Sequence, residues 1–526
     1  MFYNNPIYNF LLERKSSSEI SFIPENLWIG DPDHGKKIVD GFLSFYGEGL
    51  VFNKKVWKKN EASKSWNEEL LTFEWIKDVK ALGTNKARIF LRDNIREWMR
   101  FGSKWDSFAW RTDILSKRIS YLMSNMSFFY NTADEIFQKN FTKLLNKQSI
   151  HLLKTFKKKD YGDKKIFIAK AIILASLSFK NLSGKLQLGI NLLSKIIESD
   201  ILEDGMHYLR SPSKQFIFLQ SLVDIKNFLG LSKIVIPKFL NENIYKMSSV
   251  LKFFKIANGE LAIFNSYKFI DPDEINEVIK RSNSKIKIPE SLEFSGFQRI
   301  SDNRLNFLMD CGKPTSEKTH ASSLSFEFSH GSEKIVVNCG SPFINNKKLS
   351  EALRSTAAHS TISIDDINSS DIFFEKNTTT RIANVWSEKL IDGHNFWINT
   401  AHSGYKDLFG LVHNRKIHID TKNLIIRGQD YFSKSIKKHN LIPKKLFLRF
   451  HIHPDVKLSA TASKKKVILK LKNNLGWEFI CSEPKIEINE GRYFGAKKLT
   501  QKNNHILITE NIVPEKKIKW LFRMIK

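Results

Sequence analysis

His320, Arg354 and His359 fall within one stretch of this 526-residue chain, Thr319 to Asp366. It opens THASSLSFEFSHGSEKIVVNCG and closes LRSTAAHSTISIDD. Leu324, Phe326 and Phe328 alternate with Ser325, Glu327 and Ser329, the pattern of a strand with one buried face. His330 to Glu333 supplies a turn, and Ile335 to Asn338 returns as a second strand. Ile362 and Ile364 share a face, and His359, Thr361, Ser363 and Asp365 share the opposite, polar one. Two histidines and an arginine on adjacent strands would form a wall able to bind an anion or move a proton.

A second cluster lies in LEDGMHYLRSPSKQF, Leu202 to Phe216. Asp204-Gly205 forces a turn, and Ser211-Pro212 reads as the cap and first residue of a helix. Between them, His207 and Tyr208 are able to carry protons, and Arg210 is able to hold a carboxylate through two hydrogen bonds. A structural loop whose His and Tyr cap helix ends fits the same residues. A third cluster is Asn399 to Tyr405, with His402 and Tyr405, followed by His413 and Arg415. His451 and His453 share a strand face, but no acidic ligand follows closely, so packing near Pro454 is expected rather than a metal site. No P-loop, GxGxxG, HExxH or GxSxG pattern occurs.

The elements that must position these groups change character along the chain. Asn26 to Asn53 reads as an irregular lead-in. From about Thr72 to Gly259 the apolar spacing is helical. Ala87, Leu91, Ile95, Trp98 and Met99 define one face of a helix ending near Gly102. Ile166 to Leu177 is apolar nearly all round, as for a helix enclosed by others. Phe216, Leu219, Leu222, Val223 and Leu229 define another, with Gly230 as C-cap. Residues 265–292 read as a linker, and short strands separated by turn signals dominate from 293 to the end. The expectation is an α+β chain in two domains, an all-α domain over 1–264 and an antiparallel β-domain over 293–526.

The formal charge is +29, from 84 basic against 55 acidic residues. The excess is scattered apart from short runs such as Lys157–Lys159 and Lys464–Lys466, and no nucleic-acid-reading module accompanies it. The three isolated cysteines, Cys311, Cys339 and Cys481, argue against a disulfide framework and a thiolate zinc site. The first residues lack the pattern of a signal peptide, and Ile166–Phe179 is too short to span a bilayer. A cytoplasmic location without membrane insertion follows as the expectation.

LRSTAAHSTISIDD, with the preceding HASSLSFEFSHGSEKIVVNCG and the following HSGYKDLFGLVHNRKIHID, resembles the carboxy-terminal β-domain of heparinase II/III-like proteins. The DGMHYLRSPS loop resembles that family's DGSHxExS-type stretch. The resemblance implies an incomplete (α/α) toroid followed by an antiparallel β-sandwich, with a substrate cleft between them. It implies β-elimination on a uronate-containing acidic polysaccharide as the partner, with no cofactor. His320 and His359 would belong to the β-side wall and His207 and Tyr208 would face them as the catalytic set, with Arg210, Arg354, His402 and Tyr405 binding substrate. Metal-binding members show HAD where this chain has His320-Ala321-Ser322, so no metal is expected. Lys214 stands where active members carry a Tyr, Leu209 replaces the motif Glu, and an expected Asn-His pair is absent around Ser178 to Asn181. A catalytically degenerate glycan-binding or envelope-biogenesis protein is the alternative. The family is usually exported, which makes periplasm or cell envelope the alternative location.

Overall fold

The computed structural model describes residues 2–525 except 58–59, 266–267, 283–286, 303, 316–318, 343–345, 373–379, 436–440, 464 and 498–499. Parts of the expected linker, of the stretch from Thr319 to Asp366 and of the Lys464 run therefore lie outside the described residues. The chain divides into two compact units, Met1–Ile201 with Phe218–Ile244, and Leu202–Ile217 with Tyr245–Lys526.

The first unit is helical. Its helices begin where short polar side chains satisfy free backbone N–H groups: Thr84 caps Asn85–Gly102 and Asp134 caps Glu135–Thr155. Ala87, Leu91, Ile95 and Trp98 are buried on the face their spacing defines. Trp98 packs edge-on to Phe73, which stacks on Trp57. Helix Lys165–Ser178 is enclosed, and the lysine that interrupts it is explained by a partner. Lys170 is paired with buried Asp224, which also accepts from the Trp28 indole at 2.7 Å. Among the described residues no helix is long and apolar enough to cross a membrane.

Three expectations change here. The lead-in is not irregular: it holds helix Pro32–Val39 and the hairpin Phe42–Phe45 with Glu48–Val51. The segment 265–292 carries helix Pro272–Ser282. Gly230 is not a C-cap. Helix Pro212–Leu231 runs past it and closes with Lys233 at positive φ, the Ile234 N–H reaching the Leu229 carbonyl. Here a lysine fills the left-handed position that usually favours glycine.

The second unit carries two antiparallel sheets of nine and eight strands. The nine-stranded sheet includes Lys445–Ile452, Glu333–Val336, Phe326–His330 and Leu305–Asp310 as neighbours, with Ile362–Ile364 pairing on Lys445–Ile452. The eight-stranded sheet runs in the order Lys457–Ala460, Lys466–Lys470, Gly476–Cys481, Ile518–Met524, Ile425–Lys434, Leu411–Asp420, Asn395–His402, Val385–Asp392. They form a sandwich, because Phe326 stacks on Trp520 at 5.6 Å and Phe450 meets Phe522 at 5.4 Å. This α+β architecture, helical first and antiparallel β afterwards, agrees with the expectation. The strand Phe326–His330 differs: it is buried on both faces rather than one. Glu327 on its polar face accepts backbone N–H bonds from Ile263 and Asn338, so that face is covered by chain rather than water. Of His359, Thr361, Ser363 and Asp365, only Ser363 lies on the strand Ile362–Ile364; His359 follows the 3-10 turn Thr356–Ala358.

Candidate functional site

All eight residues to which the resemblance assigns a catalytic or substrate-binding role lie in the second unit, because the loop Leu202–Ile217 belongs to it. That loop is held by charge and by backbone. Asp204 accepts from the Ser295 N–H at 2.7 Å and hydroxyl at 2.9 Å. Arg210 is ion-paired with Asp310, donates to the Ser295 carbonyl at 2.7 Å, and lies over the Phe297 ring. Its guanidinium is thus engaged within the protein. His207 is buried, accepts from the Leu209 N–H through Nδ1 at 3.2 Å, and lies against Tyr208 with ring centroids 4.8 Å apart. Tyr208 is half-buried, and its carbonyl accepts from the Thr315 hydroxyl at 2.6 Å.

Asn265 joins this loop to the histidines. Its Nδ2 donates to the Arg210 carbonyl and its Oδ1 accepts from the His320 N–H, each at 2.8 Å. Arg210 and Asn265 both hold positive φ, 53° and 50°. For residues with a Cβ this conformation costs about 1–3 kcal/mol and persists only where the surroundings impose it.

The two histidines form a directed chain. Asn338 donates through Nδ2 to the Ile263 carbonyl at 2.8 Å, so its Oδ1 faces His359 Nδ1 at 2.8 Å and must accept. His359 then carries its proton on Nδ1 and offers a bare Nε2 to His320 Nδ1 at 3.1 Å, which donates. His320 is left with a bare Nε2. This nitrogen is buried and has no hydrogen-bond partner among the described residues. Burial, followed by the charge of Arg354, pushes His320 down to about 3; burial and then His320 hold His359 well below the ordinary imidazole range. Both rings are neutral at pH 7. Beneath them, burial raises Glu327 to about 7.

The remaining residues stand elsewhere. Arg354 donates to the Thr319 and Ile372 carbonyls at 3.2 and 2.8 Å. Tyr405 is fully buried, and its hydroxyl donates to the Ile362 carbonyl at 3.1 Å. His402 accepts from the Gly404 N–H at 3.1 Å and contacts His413 at 3.1 Å, which reaches Asp430 at 2.7 Å. His402 and Tyr405 therefore belong to a buried network inside the sandwich. Both ring nitrogens of His402 are bonded, which sets it apart from His320. His451 packs as expected, 3.3 Å from the Cys339 sulfur and 2.9 Å from the Ala357 carbonyl. Asn265, Asn338 and Glu327 were not singled out in the sequence. An asparagine in a loop and a glutamate in a strand carry no spacing signal, and only the fold shows what they join.

The architecture is a helical unit followed by an antiparallel β-sandwich unit, with a histidine relay in the latter. Family models match nearly end to end: "Heparinase II/III N-terminus" over 54–285 and "Heparinase II/III-like, C-terminal" over 287–521. The chain belongs to the heparinase II/III-like family. It is 26% identical over 520 residues to FtsZ-localized protein C of Caulobacter vibrioides, a match covering 93% of this chain and 88% of that protein. The crystal structure of heparinase III superposes with a TM-score of 0.74 at 15% identity, over 98% of this chain and 89% of its own. Heparan sulfate lyase HepC of Pedobacter heparinus gives 0.64 at 14% identity, over 98% and 87%. At these identities the two structures establish the shared fold.

Proposed function

We propose that this protein is a polysaccharide lyase that cleaves a uronate-containing acidic polymer by β-elimination. A base takes the C5 proton, the electron pair becomes the C4–C5 double bond, the C4–O bond breaks, and the leaving oxygen takes a proton. The observation that carries the reading is the bare Nε2 of His320. His359 and Asn338 fix its tautomer, so the nitrogen at the head of the chain is an acceptor. Its low proton affinity comes from burial and a neighbouring cation, and a uronate carboxylate placed beside it would raise that affinity. Tyr208, half-buried beside His207, is the group that returns a proton to the leaving oxygen. The test is ultraviolet absorbance of the unsaturated product during incubation with a panel of uronate polymers. Absorbance should rise for at least one polymer and fall about 10²–10⁴-fold in Tyr208→Phe. A folded protein that yields no product from any of them overturns the reading.

One observation favours a second reading. His320 Nε2 is closed off from solvent, and Arg210 is already paired with Asp310. A protein that binds the polymer without cleaving it needs neither group exposed. Under that reading no product forms, and polymer binding survives His320→Ala and His359→Ala.

A further inference from the structure

The outer face of the eight-stranded sheet holds a trough of about 490 Å³, and among the described residues no acidic one lines it. Two rows of side chains cross it, fixed by strand register. In the first, Trp397 lies opposite His418, His418 opposite Arg427, Arg427 opposite Leu521, and Leu521 opposite Ile480. In the second, Asn399, Lys416, Gln429 and Lys519 succeed one another on the first four of those five strands. These side chains alternate with buried inward-facing neighbours, and Lys416, Arg427 and Lys519 are exposed.

The first row is oriented. His418 Nε2 lies 3.0 Å from Asn395 Oδ1, and Arg427 approaches His418 Nδ1 at 3.2 Å. The imidazole accepts from the guanidinium and is therefore neutral there, with its ring 5.0 Å from that of half-buried Trp397. Burial, followed by Arg427, also lowers its proton affinity. None of Lys416, Arg427 and Lys519 has a carboxylate partner among the described residues, unlike Arg523 and Lys466 nearby, which share Glu478. Glu388, on the edge strand opposite Asn399, lies outside the trough lining. Beneath the trough, the Trp520 ring occupies the space a Cβ at Gly428 would take, 2.0 Å from it.

We infer that this face is a second saccharide site, which holds an acidic oligosaccharide along the two rows. The inference rests on the acidic-polysaccharide reading above but not on its chemistry. An indole presents an apolar platform to the C–H face of a sugar ring, and amides offer donors and acceptors to hydroxyls. Cations supply the complement for uronate or sulfate groups. The spacing selects the polymer. Arg427 stands in the first row, and along the second row Lys416 and Lys519 stand two strands apart, roughly 9.6 Å at the usual strand separation, with neutral Gln429 between them. That matches a chain with charge on alternate sugars, about one disaccharide apart. Duplex nucleic acid carries a charge every ~3.4 Å along each strand and would call for a denser cationic row.

The experiment is calorimetric titration of a uronate hexasaccharide, a neutral cello-oligosaccharide of equal length and a short single-stranded DNA. It uses the wild type, Trp397→Ala, Arg427→Ala/Lys519→Ala and His320→Ala, each checked for unchanged melting. The uronate oligosaccharide should bind the wild type, and both outer-face variants should weaken it by about tenfold or more. His320→Ala should leave that component intact. Loss on His320→Ala alone, with the outer-face variants binding as wild type, overturns the second site while leaving the proposed function standing. DNA bound as tightly as the uronate, with Trp397→Ala silent, overturns it in favour of a general anion patch. Wild type that binds no uronate oligosaccharide also overturns it, and the absorbance assay then reads the proposed function separately.

Discussion

Two histidine chains lie in the β-unit, and they differ at their ends. In one, the Gly404 N–H caps His402 Nδ1, His402 Nε2 donates to His413 Nδ1, and His413 Nε2 donates to Asp430. Asp430 also takes Arg415 at 2.8 and 3.1 Å and the Trp520 indole at 2.7 Å. In the other, His320 donates to His359 and His359 donates to a neutral amide, Asn338, while His320 Nε2 takes no bond from the described residues. The first chain is satisfied at both ends and terminates in charge. The second is satisfied at one end only and carries no charge. Buried polar groups are normally all bonded, so an orphaned acceptor at the head of an ordered relay calls for an explanation that the closed chain does not need, and the proposed function supplies one. A closed chain is explained by stability alone.

The comparison breaks most readily at Asp430. Burial alone would raise that carboxyl, but Arg415 and His413 hold it below its ordinary range. Asp430→Ala leaves Arg415 buried without its counter-charge, at a cost of about 3–5 kcal/mol. Asn338→Ala removes only neutral bonds, at about 1–3 kcal/mol. Chemical denaturation of the two variants should show this order. Equal losses would mean that the chains do the same work.

Acidification tests what they share. His320, His359, His402 and His413 all have lowered proton affinity in the fold, chiefly through burial. Below the ordinary imidazole value of 6.5 the unfolded chain binds protons that the folded one refuses. Stability is therefore complete above pH 6.5 and falls as pH drops, for His320 down to about 3. The slope is about 1.4 kcal/mol per pH unit for each such ring. His320→Asn and His402→Asn should each flatten the denaturation-midpoint curve between pH 6 and 5 by about one ring's share. An unchanged slope in either would show that its ring is protonated in the fold.

Much of this arrangement was visible before the fold. The helix Asn85–Gly102 follows from the spacing of Ala87, Leu91, Ile95 and Trp98, since one apolar stripe needs only local periodicity. His320 and His359 stand out as a pair in one stretch, and they do meet at 3.1 Å. The roles of their neighbours are not legible. Asn265 bridges Arg210 and His320 across 55 residues on each side, and Asn338 reaches both Ile263 and His359. No periodicity records such a link. His402 and Tyr405 read like site residues because their types are right. Only the partners show them closed in: His413, set opposite His402 by strand pairing, and the Ile362 carbonyl that takes the Tyr405 hydroxyl.

A smaller change would make the open chain resemble the closed one. Asn338→Asp places a carboxylate against His359 Nδ1, where His413 meets Asp430 in the other chain. An opposing charge at that range raises imidazole proton affinity by about 1–3 units. The His359 titration, followed by NMR, should move upward accordingly. If it stays in place, the amide does not set the direction of the relay.

The smallest effect on stability is expected at Tyr208. Its ring is half-buried beside His207, and its backbone carbonyl accepts from the Thr315 hydroxyl. Tyr208→Phe keeps the ring and the carbonyl bond, so the melting transition should shift by about 1 kcal/mol or less. Asp430→Ala shows the opposite profile, a large loss of stability at a residue with no proton to offer the polymer. The contrast is informative because a residue retained for packing loses stability on substitution, whereas one retained for chemistry loses turnover. Tyr208→Phe that melts like wild type and still forms unsaturated product at the wild-type rate removes Tyr208 from the catalytic set, leaving the proton to be returned by another group.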